Sequence, residues 1–332
     1  MRIAGRRPLA APLPARLLLV LYAGMAIAAA GFMIAAAVRF ATRTTGGDDR
    51  PSVAMADVFG LGGLPDLTTG RLAAESATSP IRRNVIVTYY GSPSAPSMGI
   101  LGQYAPEEAA DLLAARADRF RFATGGGSVL PALHLVYAVA QPQASDGLYL
   151  QYLDDRTVQQ FEDLARRRGF VLILDLQIGH GDPLAEVKKI EPYLLEPDVF
   201  VALDPEFALA GGARPGEAIG SIDARDINAV QQYLADLSIA HHLPKKMLVV
   251  HQFQEGMITN ADSIQRRVDV DVVIDMDGYG PADIKQVKYQ RYGAAPYAPY
   301  GGIKIFLQHD PDPLTERQLL GLTPRPSLFV YQ

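Results

Sequence analysis

Residues 170–207 read FVLILDLQIGHGDPLAEVKKIEPYLLEPDVFVALDPEF. Two apolar runs of strand length, FVLILDLQIG (170–179) and VFVALDPEF (199–207), bracket a segment that opens on Asp182-Pro183 and carries a glutamate early and two lysines late. Neither run alternates apolar with polar residues, so both are expected to be strands buried on two faces, as in parallel sheets. Proline in the first turn and acids ahead of bases predict a helix over 183–195. Strand, helix, strand in this order is a parallel βαβ unit.

The same unit repeats on either side. Further strands are predicted at NVIVTYYG (84–91), VLPALHLVYAV (129–139), KMLVVHQF (246–253), VDVVIDMDG (270–278), GIKIFLQ (302–308) and SLFVYQ (327–332), and further helices over 106–120, 155–168, 223–241 and 281–292. Eight strands alternating with helices predict an α/β fold, a (β/α)8 TIM barrel over residues 81–332. An open doubly wound sheet fits less well, because GSPSAPSMG after the first strand lacks both glycine-rich phosphate-loop spacings.

Composition narrows the function. A net charge of -5 offers no basic field, so nucleic acid is not an expected partner. The absence of cysteine excludes disulfides, thiolate zinc sites, thiol nucleophiles and lipidated cysteine anchors. Residues 17–38, LLLVLYAGMAIAAAGFMIAAAV, carry no charge over a length that spans a bilayer, and residues 1–16 hold four arginines. The positive-inside bias makes 1–16 a cytoplasmic basic tail and 17–38 a transmembrane helix in the plasma membrane, with a signal peptide cleaved near Ala35-Ala36-Ala37 as the alternative; on either reading the body is exported. Residues 39–80, rich in Gly, Thr, Ser, Ala and Pro, are a linker to an extracytoplasmic barrel.

In such a barrel the chemistry sits at the carboxyl ends of the strands, and residues two apart share a face. The polar residues fall there: Tyr90, His134, Asp175 and Gln177, Asp204 and Glu206, His251 and Gln252, Asp275 and Asp277, Gln308, and Tyr331. Burying several carboxylates without partners is costly, so a polar pocket is expected. No G-x-S-x-G or H-E-x-x-H motif is present, which leaves carboxylates as the working groups. Paired acids suit glycoside hydrolysis, with one acid protonating the leaving oxygen and another as nucleophile, base or charge stabiliser. Tyr89, Tyr90, Tyr137, Phe207, Phe253 and Tyr279 are candidate faces for sugar rings.

The D-P-E of residues 204–206 resembles the D-x-E that family-25 lysozymes and family-18 chitinases carry at a fourth barrel strand. That resemblance implies Glu206 as proton donor, Asp204 as its orienting neighbour, and a polysaccharide or cell-wall glycan as substrate. The segments YYGSPSAPSMGILG, DLQIG, LDPEF, VHQF and IDMDGYG also resemble uncharacterised membrane-anchored barrel proteins of high-GC bacteria. On the glycosidase reading the second carboxylate is Asp175 or Asp275, the substrate-binding residues are Tyr90, His134, Gln177, His251, Gln252, Asp277, Gln308 and Tyr331, and no cofactor is required. Two alternatives remain. One is a metal-dependent phosphoester hydrolase in which Asp175, Asp204, Glu206, His251 and Asp275 gather Mg, Mn or Zn. The other is a non-catalytic barrel that binds glycan or peptide.

Overall fold

The computed structural model describes residues 79–143, 147–209 and 212–332. The basic tail, the transmembrane segment and nearly all of the linker lie outside these residues. Among the described residues no helix is long and apolar enough to cross a membrane.

Eight parallel strands close on themselves: β1 Val85–Gly91, β2 Val129–Ala140, β3 Val171–Gln177, β4 Val199–Asp204, β5 Lys246–Gln252, β6 Val270–Met276, β7 Tyr300–Ile305 and β8 Leu328–Tyr331. Each pairs with the next in sequence, and β8 returns to β1 through Ile86↔Leu328 to Tyr89↔Tyr331. The connecting helices are α1 Pro106–Ala123, α2 Asp155–Arg168, α3 Pro183–Lys189, α4 Ala224–Ala240, α5 Ala282–Arg291 and α6 Glu316–Leu320. The expected (β/α)8 barrel is thus present in the strand pairing itself.

Local chemistry explains the element ends. Asp154 caps α2 by accepting from the Thr157 N–H, and Gly169 ends it in the left-handed conformation at φ 66°. The helix expected over 183–195 breaks at Ile190, because Pro192 has no N–H to continue the ladder to Lys188 O and instead opens a separate turn, Glu191–Leu194. Helix α6, which the periodicity misses, is short but held by a capping box between Thr315 and Gln318.

Two apolar layers flank the sheet. Val87, Leu135, Leu174, Val201, Leu248 and Ile274 face Leu113, Phe120, Phe161 and Leu234 of the surrounding helices. Ile86, Ala132, Ile173, Ala202, Val249, Val273 and Val330, of the opposite parity, fill the barrel interior. Burial on both faces is why the strands read as continuous apolar runs.

Parity corrects two of the expected site residues, and the end of β7 corrects a third. Tyr331 shares the face of Phe329 and packs in the outer layer, with Arg116 4.4 Å from its ring centroid. Gln252 shares the face of Leu248 and Val250, and its Oε1 accepts from the Tyr297 hydroxyl at 2.9 Å. Gln308 lies past the end of β7, which pairs only as far as Ile305; it is exposed and donates to Gln103 Oε1 at 3.3 Å. The chain turns after β7 because Phe306 N–H donates to Asp310 Oδ2 and Phe306 O accepts from the His309 and Asp310 N–H groups. A side chain one residue off the inward parity points away from the barrel interior.

Candidate active site

The inward parity carries a polar cluster to the carboxyl end of the barrel. His134 comes from β2, Asp175 and Gln177 from β3, Asp204 from β4, His251 from β5, Asp275 from β6, Asp277 just past it and Tyr90 from β1. Lys304 of β7 joins them and is 2% exposed. It was legible as a lysine set between Ile303 and Ile305 in an apolar run, but the strand end was expected three residues later.

His251 is the hub. Its Nε2 lies 3.0 Å from Asp175 Oδ2, and its Nδ1 lies 3.1 Å from Asp275 Oδ2 and 3.3 Å from Asp277 Oδ2. The His134 ring stacks on it at 5.6 Å between centroids, and Tyr90 meets both rings edge-on. Lys304 Nζ donates to Asp277 Oδ2 at 3.2 Å and sits 3.5 Å from the Tyr90 ring centroid, a short cation–π contact. Gln177 is spent on the fold: its Oε1 accepts from the Ala140 N–H at 2.8 Å.

The two acids of D-P-E do different things. Asp204 ends β4 and caps the turn Pro205–Phe207, with its Oδ1 accepting from the Glu206 N–H at 3.0 Å. Glu206 therefore leaves the strand on a fixed turn. The loop after it is stitched down by Leu209 N–H to Gly179 O and Ser221 N–H to Ala208 O, both at 2.9 Å. Asp175 and Asp275 are fully buried and Asp204 is 3% exposed, whereas Glu206 and Asp277 are partly open to solvent.

Five carboxyl groups thus crowd against His251 and Lys304, and the proton affinities of Asp175, Asp204, Glu206 and Asp277 separate accordingly. Burial alone would raise Asp175, but the charge of His251 together with the contacts of both His134 and His251 outweighs burial and holds it well below the usual carboxylate range. Burial would lower His251; Asp175, Asp275 and Asp277 together push it well up instead. Burial lowers His134. Burial raises Asp204 to about 7, with the charges of Asp175 and Asp277 adding to it. Glu206 rises to about 8 through burial and the neighbouring Asp204 and Asp277. Burial also raises Asp277, against the opposing pull of Lys304 and His251.

These directions predict a pH dependence of stability. The ordinary values for Asp204 and Glu206 are 3.8 and 4.5, so between there and about 7 to 8 the folded state holds protons the unfolded chain has released. Stability falls as pH rises through that window. The melting temperature is expected to drop from pH 5 to pH 8.5, and Glu206→Gln to flatten the upper part of that drop. A flat wild-type profile would contradict the crowded-carboxyl picture. Gly302 of β7 provides a separate probe: a Cβ there would stand 2.7 Å from Asp275 Oδ1 and 3.1 Å from Asp275 Cα. Gly302→Ala is expected to cost about 1–3 kcal/mol in urea unfolding by pushing Asp275 off His251.

Other polar residues near the strand ends serve the scaffold. His180 Nε2 lies 2.7 Å from Ala213 O, and Asp310 pairs with Lys285 at 3.0 Å. Tyr89 and Tyr137 belong to the outer apolar layer, while Tyr279 packs on Phe306 and His309 at 5.9 and 6.0 Å. A cleft of about 460 Å³ lined by Ser79, Asn84, Ser128, Asp198 and Lys245 lies at the amino-terminal ends of the strands, away from the carboxylates.

No protein-family model matches the chain, and no curated protein matches it. Among solved structures it is similar to the Bacillus subtilis mannanase BCman, at 12% identity and TM-score 0.41, over 80% of this chain and 86% of that one. It is also similar to the Bacillus subtilis mannanase man26, at 12% identity and TM-score 0.41, over 75% and 79%. A hyperthermophilic endo-beta-1,4-glucanase shares 10% identity at TM-score 0.32, over 60% and 61%. At this distance no residue role passes from them to this chain, and the barrel rests on its own strand pairing.

Proposed function

We propose that the protein is a glycoside hydrolase in which Glu206 is the general acid and Asp277 the second carboxylate. One observation carries this reading: of the five clustered carboxyl groups, only Glu206 and Asp277 are partly open to solvent at the mouth. Glycosidic cleavage needs two carboxyl groups of opposite protonation flanking one bond. Glu206, raised to about 8, is protonated at neutral pH and donates to the leaving oxygen. Lys304 beside Asp277 favours its ionised form against the burial that raises it, and that form serves as nucleophile, base or stabiliser of the developing positive sugar. Asp175 and Asp275, the second carboxylates expected from the sequence, are fully buried and both engage His251.

The substrate we propose is a cell-wall or surface polysaccharide. The uncharged 17–38 segment behind an arginine-rich start supports a single-pass anchor that holds the barrel outside the plasma membrane, beside that substrate. Reducing-end release from a panel of peptidoglycan and capsular polysaccharides tests the chemistry, and the rate is expected to fall above about pH 8 as Glu206 loses its proton. Protease digestion of the barrel in intact spheroplasts tests the orientation; full protection would exclude it.

A further inference from the structure

We infer that His134, Asp175 and His251 bind one divalent transition-metal ion, zinc by preference, inside the barrel. One donor atom from each of the three lies within 4.8 Å of the others, and all three residues are 0% exposed. The two imidazole nitrogens stand 3.3 and 3.0 Å from the same oxygen, Asp175 Oδ2. Zinc bonds of about 2.0–2.2 Å in a tetrahedral arrangement separate neighbouring donors by about 3.3 Å, so these edges have the right length.

Three further observations point to an ion rather than to direct hydrogen bonds alone. Both ring nitrogens of His134 lack a hydrogen-bond partner although the ring is wholly buried. Its Nε2 is close to Asp175 Oδ2 but not aligned to donate to it, as expected of two ligands facing a shared centre. Leaving such a group unsatisfied in an apolar barrel is costly. His251 has the outer partners of a ligating histidine, since its Nδ1 faces Asp275 Oδ2 at 3.1 Å and Asp277 Oδ2 at 3.3 Å.

Two nitrogens and one carboxylate oxygen form a donor set suited to zinc rather than to magnesium or calcium. Binding replaces the proton between His251 Nε2 and Asp175 with a doubly charged cation, which offsets the crowded carboxyl groups. The ion ties β2, β3 and β5 together below the mouth. This set differs from the one expected from the sequence, since Asp204, Glu206 and Asp275 are not in it and His134 is. The inference does not rest on the glycosidase reading, because the cluster is closed to solvent.

The test is elemental mass spectrometry on the full-length chain, purified without chelator or metal-affinity resin. About one equivalent of zinc per chain is expected, lost on chelator treatment and regained from Zn²⁺ alone with a melting temperature several degrees higher. His134→Gln is expected to lower the retained zinc at least about tenfold, consistent with loss of one of three ligands. Zinc K-edge absorption of the wild type reads imidazole ligation directly, so the test survives if that variant fails to fold. Absence of metal on isolation together with no uptake by stripped wild type overturns the inference. So does a full equivalent retained by folded His134→Gln, or a spectrum without imidazole.

Discussion

Glu206→Gln is expected to lower polysaccharide cleavage by about 10²- to 10⁴-fold while leaving the fold intact. The amide keeps the shape of the side chain and the Glu206 N–H bond to Asp204, so only the transferable proton is lost. The split between kinetic constants is part of the prediction: kcat falls and KM changes little, because the proton is used only as the bond breaks. Substrates with acidic leaving groups, which need less protonation, are expected to lose least. An unchanged rate on every substrate the wild type cleaves would exclude Glu206 as the acid. Asp277→Asn, tested beside it, is expected to be comparably slow and, if Asp277 is the nucleophile, to be partly rescued by added azide.

Lys304→Met is expected to destabilise the protein by about 3–5 kcal/mol, the usual cost of breaking one side of a buried ion pair. Lys304 is 2% exposed and pairs with Asp277, and its removal leaves that carboxylate beside Glu206, Asp204 and Asp275 with less compensation. The contact with the Tyr90 ring is lost too. Urea unfolding reads the effect, and adding Asp277→Asn to the variant is expected to restore part of it, since the charge left behind is then gone. A Lys304→Met protein as stable as wild type would mean that the pair is not formed in solution.

Helix position and helix capping were legible to different degrees, for reasons visible in particular residues. Helix α2 falls at its expected bounds because acids open the segment and arginines close it, and the structure adds Asp154 and Gly169 as its chemical ends. Helix α3 was expected too long because Pro192 sits inside a segment whose apolar period continues past it. For β7 the apolar run GIKIFLQ extends beyond the ladder, so the expected end fell on exposed Gln308 while Lys304, the residue that matters, was passed over.

By itself the sequence determined the barrel and the end of it where polar residues gather. Continuous apolar runs alternating with helices admit few other packings, because a strand apolar on both faces must be covered on both. It also singled out the carboxylates and histidines at the strand ends, since charged groups at the end of an apolar run are costly unless they share a pocket. Only the tertiary structure decided which of these meet. Each strand enters the ladder with its own register, and β2 shifts between Val136 and Ala138 where it pairs with β3. Tyr331 and Gln252 turn outward because they lie off the inward parity of β8 and β5, and it is the register between strands that brings His134, Asp175, His251 and Lys304 together from four of them. The proton on Glu206 is likewise a property of the closed barrel, because burial and the charges of Asp204 and Asp277 raise it only once separate segments share one mouth.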